Sequence, residues 1–230
     1  MAYLAHRRAD LVTANSVGAL ETLRSLPELA ARRVELSPNI GEGATVERPG
    51  SAPHFLVIGR LVPHKRVAWA VDIFAEVADQ TPGWNLLIAG QGPEEDPLRA
   101  RAAELGLEDR VQFLGFVDDI PGLLREGGVL LHLAAYEGTP NVIMEAMAAG
   151  VPVIVTGASP GPVELVKGSG PPSGVVCEDG DREGVRSAMV ELASDAVLRE
   201  EFGQAGIRRA EGWSWPAVRN DWLKILGLEQ

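Results

Sequence analysis

The sequence is poor in cysteine, in aromatic residues and in positive charge. Of its 230 residues only Cys177 is a cysteine, which excludes an internal disulfide framework and a cysteine-rich zinc site. Cys177 lies in a short apolar run, so we expect a buried structural thiol. The net charge of −11 argues against broad binding to nucleic acid or to an anionic membrane. An anionic ligand would therefore need a local concentration of positive charge.

Long apolar runs are also absent, since none approaches the roughly 20 residues that a membrane span requires. The first ten residues, MAYLAHRRAD, lack the apolar stretch of a signal peptide. We therefore expect a cytoplasmic protein, with the inner face of the membrane as an alternative location.

What the sequence does contain is a regular alternation of short apolar runs and helix-like segments from His54 onward. Six apolar runs cover residues 55–61, 84–89, 111–114, 129–134, 151–156 and 174–177. Continuous apolar strands are typical of a parallel sheet that helices cover on both faces. The pattern predicts an α/β fold with a doubly wound, Rossmann-like parallel sheet over residues 51–212, flanked by terminal helices, the last of them over residues 213–230.

The first 50 residues follow a different pattern. Residues 11–26 have helix-like apolar spacing, with Asn15 and Ser16 as candidate caps. Residues 34–53, rich in proline, glycine and glutamate, are predicted to form a loop or linker.

In an open parallel sheet, ligands bind beyond the carboxyl ends of the strands. The segment GRLVPHK places Arg60 and Lys65 there. A planar guanidinium fork and a point-charged ammonium together suit a diphosphate.

The segment YEGTPNVIMEAMAAG supplies a helix start at a second strand end. Thr139 is a suitable N-cap and Pro140 suits the first helical position. The crevice would then contain an anion site, formed by the free backbone amides of Asn141, Val142 and Ile143.

Two carboxylates flank this helix start. Glu137 precedes the helix, and Glu145 lies inside it between apolar neighbours. We expect Glu145 to be buried and therefore partnered, because a buried carboxylate is costly without partners. Carboxylates also accept hydrogen bonds from sugar hydroxyls. At a third strand end, Phe116 and Val117 could hold a planar base, although a simple strand-to-helix turn explains them equally well.

These segments, with IAGQGPEEDPLRARAAELGLEDRVQFLGFVDD between them, resemble glycosyltransferase family four, whose members are retaining enzymes of the GT-B type with two Rossmann domains. The resemblance runs from Ala9 to Leu226. ADLVTANSVGALETL resembles the end of the first domain, SPNIGEG the crossover, and WSWPAVRNDWLKIL the terminal helix that packs back on the first domain. Residues 1–50 would thus be a remnant of the acceptor domain and the linker.

The resemblance implies a role for each candidate residue. Arg60, Lys65 and Glu137 would be catalytic: the two cations would stabilise charge on the leaving nucleoside diphosphate, and Glu137 would lie near the donor sugar. Glu145 would bind the ribose hydroxyls. The remaining donor-binding residues would be Gly59, Val117, Thr139, Asn141, Val142 and Ile143. No cofactor and no metal would be required.

Two departures from the family stand out. Arg66 occupies a position that is often glycine, and most of the first domain, with its acceptor site, is not in this sequence. The four histidines, His6, His54, His64 and His132, have no evident partner. We therefore expect this chain to supply the donor-binding half, for an acceptor that is a sugar, a lipid or a small molecule.

Several alternatives stay open at this point. The chain could be a piece of a longer enzyme, a half completed by a partner chain or by self-association, or a non-catalytic nucleotide-sugar-binding module. A dehydrogenase is disfavoured because Glu95 stands where the dinucleotide fingerprint that starts at Gly90 and Gly92 needs a small residue. A related epimerase or phosphorylase is disfavoured by the glutamate spacing and by length.

Overall fold

The computed structural model of the protein describes residues 9–41 and 52–228. His6 and the glycine-rich part of the predicted linker, residues 42–51, lie outside these ranges.

A six-stranded parallel sheet forms the centre of the molecule, with strand order β5-β4-β3-β6-β7-β8. The strands are β3 (His54–Ile58), β4 (Asn85–Ala89), β5 (Val111–Gly115), β6 (Val129–His132), β7 (Val153–Thr156) and β8 (Gly174–Cys177). Each of the six predicted apolar runs overlaps one strand. The chain builds outward from β3 to one edge and then returns to β6, so the predicted doubly wound arrangement is confirmed.

Helices cover both faces of this sheet. The helices along the chain are α1 (Val17–Ser25), α2 (Val67–Val77), α3 (Glu95–Glu104), α4 (Ile120–Arg125), α5 (Asn141–Ala148), α6 (Pro160–Lys167), α7 (Arg182–Ser194), α8 (Ala196–Ala210) and α9 (Trp215–Leu226). One core packs α2, α3 and α7 on the sheet, and a second packs α4, α5 and α6 on the opposite face. Burial on both faces explains why the four central strands are largely apolar, whereas the edge strand β5 alternates in burial.

The N-terminal segment forms a small unit of its own. Strands β1 (Leu11–Ala14) and β2 (Arg33–Leu36) pair in parallel around α1. Ser16 caps α1, since its Oγ accepts from the Ala19 amide at 3.2 Å. The prediction of one helix over residues 11–26 is wrong in its first part, because residues 11–14 alternate in burial and pair with β2. The loop predicted from residue 34 likewise begins only after β2.

The C-terminal helices connect the two parts of the chain. Helix α8 packs on α5, where Gly203 allows a close approach to the Gly150 carbonyl. Trp222 Nε1 on α9 donates to the Pro38 carbonyl at 3.1 Å, so α9 contacts the N-terminal segment. Within the described ranges, no helix has both the length and the apolar character needed to cross a bilayer.

Candidate functional site

The candidate site lies where the strand order reverses, between β3 and β6. Loops diverge there on the carboxyl side of the sheet, which is where ligands bind in folds of this kind. The loops after β3, β5 and β6 carry the residues that the sequence singled out.

The loop after β3 is fixed to the loop after β4. The Gly59 amide donates to the Ala89 carbonyl, and the Leu61 amide to the Gln91 carbonyl, each at 2.9 Å. A Cβ at Gly90 would lie 1.8 Å from the Gly59 carbonyl oxygen, so only glycine fits. This backbone contact accounts for Gly90 without a bound dinucleotide, which weakens the dehydrogenase alternative further.

A cavity of about 410 Å³ opens beside this loop. Its lining includes Gly59, Arg60 and Val117, three residues that the sequence analysis placed in the site. The side chain of Arg60 is exposed, and its guanidinium makes no hydrogen bond or ion pair with any described residue. Phe116, at the rim, is 70% exposed, which is unusual for an aromatic side chain and leaves its ring face open to a planar ligand.

Lys65 and Glu137 form a direct ion pair across this region. Lys65 Nζ donates to Glu137 Oε1, and both side chains are largely shielded from solvent, with exposures of 19% and 21%. A Cβ at Gly59 would lie 4.0 Å from Lys65 Nζ. The ammonium therefore lies between the cavity of Arg60 and the carboxylate of Glu137.

Two further contacts join the same chain segments. The Ala135 amide donates to the His64 carbonyl at 2.7 Å, and the rings of His64 and Tyr136 stack with centroids 4.7 Å apart. The Glu137 amide in turn donates to Ser159 Oγ at 2.8 Å. One backbone hydrogen bond, one ring stack and one bond to Ser159 thus set where Lys65 and Glu137 meet.

His132, which sequence reasoning left without a role, lies at the end of β6. Its side chain is buried, and its Nε2 has no hydrogen-bond partner within the part of the chain that the structure describes. Burial lowers the pKa of His132 to about 4, and the positive charge of Lys65 acts in the same direction. The imidazole is therefore neutral at neutral pH. A histidine inside an apolar strand was the available signal.

The start of α5 differs from the prediction. The N-cap is Pro140, with extended backbone, and the helix begins at Asn141. Thr139 is not the cap, because its hydroxyl donates to the Asn15 carbonyl on the N-terminal segment. The Ile143 amide is not free either, since it donates to the Pro140 carbonyl at 3.2 Å, and the Ile143 side chain is fully buried. The open end of the helix is thus formed by the amides of Asn141 and Val142, which have no acceptor among the described residues.

Glu145 is exposed rather than buried, so the expectation of a carboxylate inside an apolar helix is wrong. Asn141 and Glu145, one turn apart, share the solvent face of α5 and line a second cavity of about 420 Å³. This cavity shares Ile120 with the cavity of Arg60, so the two are neighbours. Arg60 and Glu145 can thus contact different parts of one ligand.

Glu137 lines a third, larger cavity. This cavity, of about 690 Å³, lies between the loop of Glu137 and the N-terminal segment, including Asn15 and Ser16. The predicted residues therefore do not share one pocket. They line four openings along the strand ends, since Thr139 lines a further cavity of about 320 Å³, and Lys65 lies between the first and the third.

Arg66 does not add a cation to the site. Its backbone is left-handed, with φ +53°, and its guanidinium contacts Asp179 and the ring of Trp69. The left-handed backbone gives the physical reason why glycine suits this position.

Comparison with known proteins identifies the class to which this fold and site belong. The sequence model of the group 1 glycosyl transferases matches residues 44–209. A lipopolysaccharide core biosynthesis glycosyltransferase of Rhizobium meliloti, LpsE, is 29% identical over 228 residues, which is 96% of this chain and 65% of that protein. The fold is therefore of the Rossmann-like GT-B type, and the chain belongs to the group 1 glycosyl transferase family.

Solved structures agree in fold. HepE of Anabaena, in complex with UDP and glucose, is similar with a TM-score of 0.80 at 22% identity, over 98% of this chain and 65% of that one. The pneumococcal O-GlcNAc transferase GtfA, in complex with UDP and GlcNAc, is similar with a TM-score of 0.83 at 19% identity, over 96% of this chain and 45% of that one. The chain spans about half the length of the curated relatives it matches.

Proposed function

We propose that this chain is the donor-binding half of a retaining glycosyltransferase, and that it holds a nucleoside diphosphate sugar along the strand ends between β5 and β6. The observation that carries the proposal is the placement of Arg60 and the open end of α5 at neighbouring cavities, with Lys65 beside Gly59 at the edge of the first. Arg60 and the two open amides can bind phosphate directly, and Lys65 adds its charge once it leaves Glu137. HepE and GtfA, with the same fold, both bind UDP.

Each part of the donor has a matching group. The base would enter the apolar cavity beside Val117 and Phe116, and the ribose hydroxyls would donate to Glu145 in the adjacent cavity. The diphosphate would lie between Arg60, Lys65 and the amides of Asn141 and Val142. The sugar would then reach Glu137, which faces the third cavity and can accept from its hydroxyls.

In the reaction, the bond between the anomeric carbon and the diphosphate oxygen breaks, and negative charge develops on the leaving nucleoside diphosphate. Arg60, Lys65 and the α5 amides stabilise that charge in place, so that no metal ion is needed. The acceptor oxygen bonds to the anomeric carbon on the face that the diphosphate leaves, which retains the configuration, and the proton of the acceptor hydroxyl passes to the departing diphosphate oxygen. The acceptor, a sugar, a lipid or a small molecule, would be held by a second domain or a partner chain on the other side of the cleft.

Calorimetry on the isolated chain tests donor binding. We expect UDP, GDP or ADP to bind, and Arg60→Gln to weaken the binding about tenfold or more, because a charge-assisted hydrogen bond contributes about 1.5–3 kcal/mol. Arg219→Gln removes the same charge from an exposed position on α9 and should bind like the wild type. A folded chain that binds none of the three nucleotides and none of their sugar conjugates would falsify the proposal.

The role as one half of an enzyme has its own test. Transfer requires both reactants to be held in place, so the isolated monomer should hydrolyse the donor slowly at most. Adding the second domain or partner chain that holds the acceptor should produce acceptor-dependent transfer. Transfer by the monomer alone would contradict the assignment as a half. Donor binding without any transfer after the second half is added would instead favour the alternative, a non-catalytic nucleotide-sugar-binding module or assembly subunit.

A further inference from the structure

Lys65, whose positive charge the donor diphosphate would use, is already paired with Glu137. Lys65 Nζ is bonded to Glu137 Oε1 and lies beside Gly59, at the edge of the cavity of Arg60. Both side chains are about four-fifths shielded from water. A phosphate that approaches Lys65 therefore meets an ammonium that is already neutralised.

The pairing is built into the fold and does not depend on side-chain rotamers alone. The Ala135 amide bonds to the His64 carbonyl, and the rings of His64 and Tyr136 stack. These contacts immediately precede Lys65 on one segment and Glu137 on the other, so they bring the two charges together. Ser159 also holds the Glu137 amide.

The nearby imidazole does not change this balance. His132 lies close enough to Lys65 and Glu137 for both charges to act on it, but it is buried and neutral at neutral pH. If the negative charge of Glu137 is removed, the neutral His132 therefore does not compensate the positive charge of Lys65.

We propose that Glu137 is a resident counter-ion of Lys65, and that this pairing makes the site prefer an intact nucleoside diphosphate sugar over the free nucleoside diphosphate. The inference rests on the proposed function and deepens it. A diphosphate that draws Lys65 away leaves the Glu137 carboxylate close to the phosphates and without its partner. The hydroxyls of the donor sugar replace that partner, because they donate to the carboxylate.

Free nucleoside diphosphate offers no such donors. It must compete with Glu137 for Lys65 and also tolerate the negative charge of Glu137 nearby. The product nucleotide is therefore held more weakly than the donor, which favours its release after the sugar has been transferred.

The test is calorimetry on Glu137→Gln, which keeps the shape of the side chain and removes its charge. UDP, GDP and ADP are titrated first. The nucleotide that binds most tightly is then compared with its conjugates to glucose, galactose, mannose and N-acetylglucosamine. We expect the variant to bind the free nucleotide about fivefold more tightly than the wild type does, and to lose its preference for the best conjugate.

Two controls isolate the pair. Glu126→Gln makes the same change in net charge at an exposed position before β6, at the opposite end of the sheet, and should behave like the wild type. In the double variant with Lys65→Ala, the gain from Glu137→Gln should disappear, because the lysine that it releases is gone.

The outcomes separate the two proposals. If the wild type binds a nucleotide and Glu137→Gln binds it equally or more weakly, the counter-ion role is wrong and the donor site stands. If only Glu137→Gln binds a nucleotide, the counter-ion role is supported in its strongest form. If neither protein binds any nucleotide or any sugar conjugate, both proposals fall.

Discussion

Arg66 Nη1 lies 2.6 Å from Asp179 Oδ1, in the loop after β8, and the same guanidinium lies 4.6 Å from the centroid of the Trp69 ring. These contacts hold an arginine whose backbone is left-handed, directly after Lys65. The side chain thus faces the α2 side of the sheet, while the preceding lysine faces the candidate site.

Two substitutions at Arg66 separate backbone strain from side-chain contacts. Arg66→Ala loses the contacts and keeps the strain, whereas Arg66→Gly loses the contacts and relieves the strain. We expect the glycine variant to be more stable than the alanine variant by about 1 kcal/mol in urea unfolding. Both variants should bind nucleotide like the wild type. Equal stability of the two variants would show that the left-handed backbone carries no cost.

His132 makes stability depend on pH. Its pKa falls from the ordinary 6.5 to about 4 in the folded protein, mainly through burial. Between these values the unfolded chain binds a proton that the folded chain does not bind, so stability is fully present above pH 6.5 and falls as the pH decreases towards 4. The loss attributable to this group should be about 2 kcal/mol by pH 5.

The variant His132→Leu isolates this effect from the titration of carboxylates. Urea unfolding at pH 7.5 and at pH 5 should show a smaller loss of stability for the variant than for the wild type. Parallel losses in the two proteins would mean that His132 is not the group responsible.

Glu145 is expected to bind the ribose. Glu145→Ala should weaken nucleoside diphosphate binding about tenfold or more. The 2′,3′-dideoxy analogue, which lacks both hydroxyls, should bind the wild type as weakly as the normal nucleotide binds the variant, and the variant should not distinguish the two ligands. If Glu145→Ala and the removal of the two hydroxyls weaken binding additively, the ribose does not bind at Glu145.

Cys177 should be unreactive in the native state. The thiol is buried, and burial raises its pKa to about 11, with the negative charge of Asp181 acting in the same direction. Thiolate is the reactive form, so a disulfide reagent should modify the folded protein slowly and the urea-unfolded protein at once. Rapid, stoichiometric modification of the native protein at neutral pH would contradict this burial.

The sheet was predictable because its central strands are buried on both faces and therefore form continuous apolar runs. The position of the candidate site is inferred from the fold class, since ligands bind beyond the carboxyl ends of parallel strands. The exposure of Glu145 could also have been predicted from the sequence, because Asn141 and Glu145 are one helical turn apart and must share a face.

The details that depend on distant segments were not predictable. Thr139 does not cap the helix, because its hydroxyl donates to the carbonyl of Asn15, which lies 124 residues away in the sequence. The pairing of Lys65 with Glu137 joins residues 72 positions apart. No local pattern encodes either contact, because both arise only when separate segments are brought together by the fold.

A crystal structure of the chain with the nucleoside diphosphate that binds best tests the central claim most directly. We expect the diphosphate to lie between Arg60, Lys65 and the amides of Asn141 and Val142, with the ribose hydroxyls at Glu145. A diphosphate bound at the turn of Gly90 and Gly92, or on a different face of the sheet, would show that the donor site lies elsewhere.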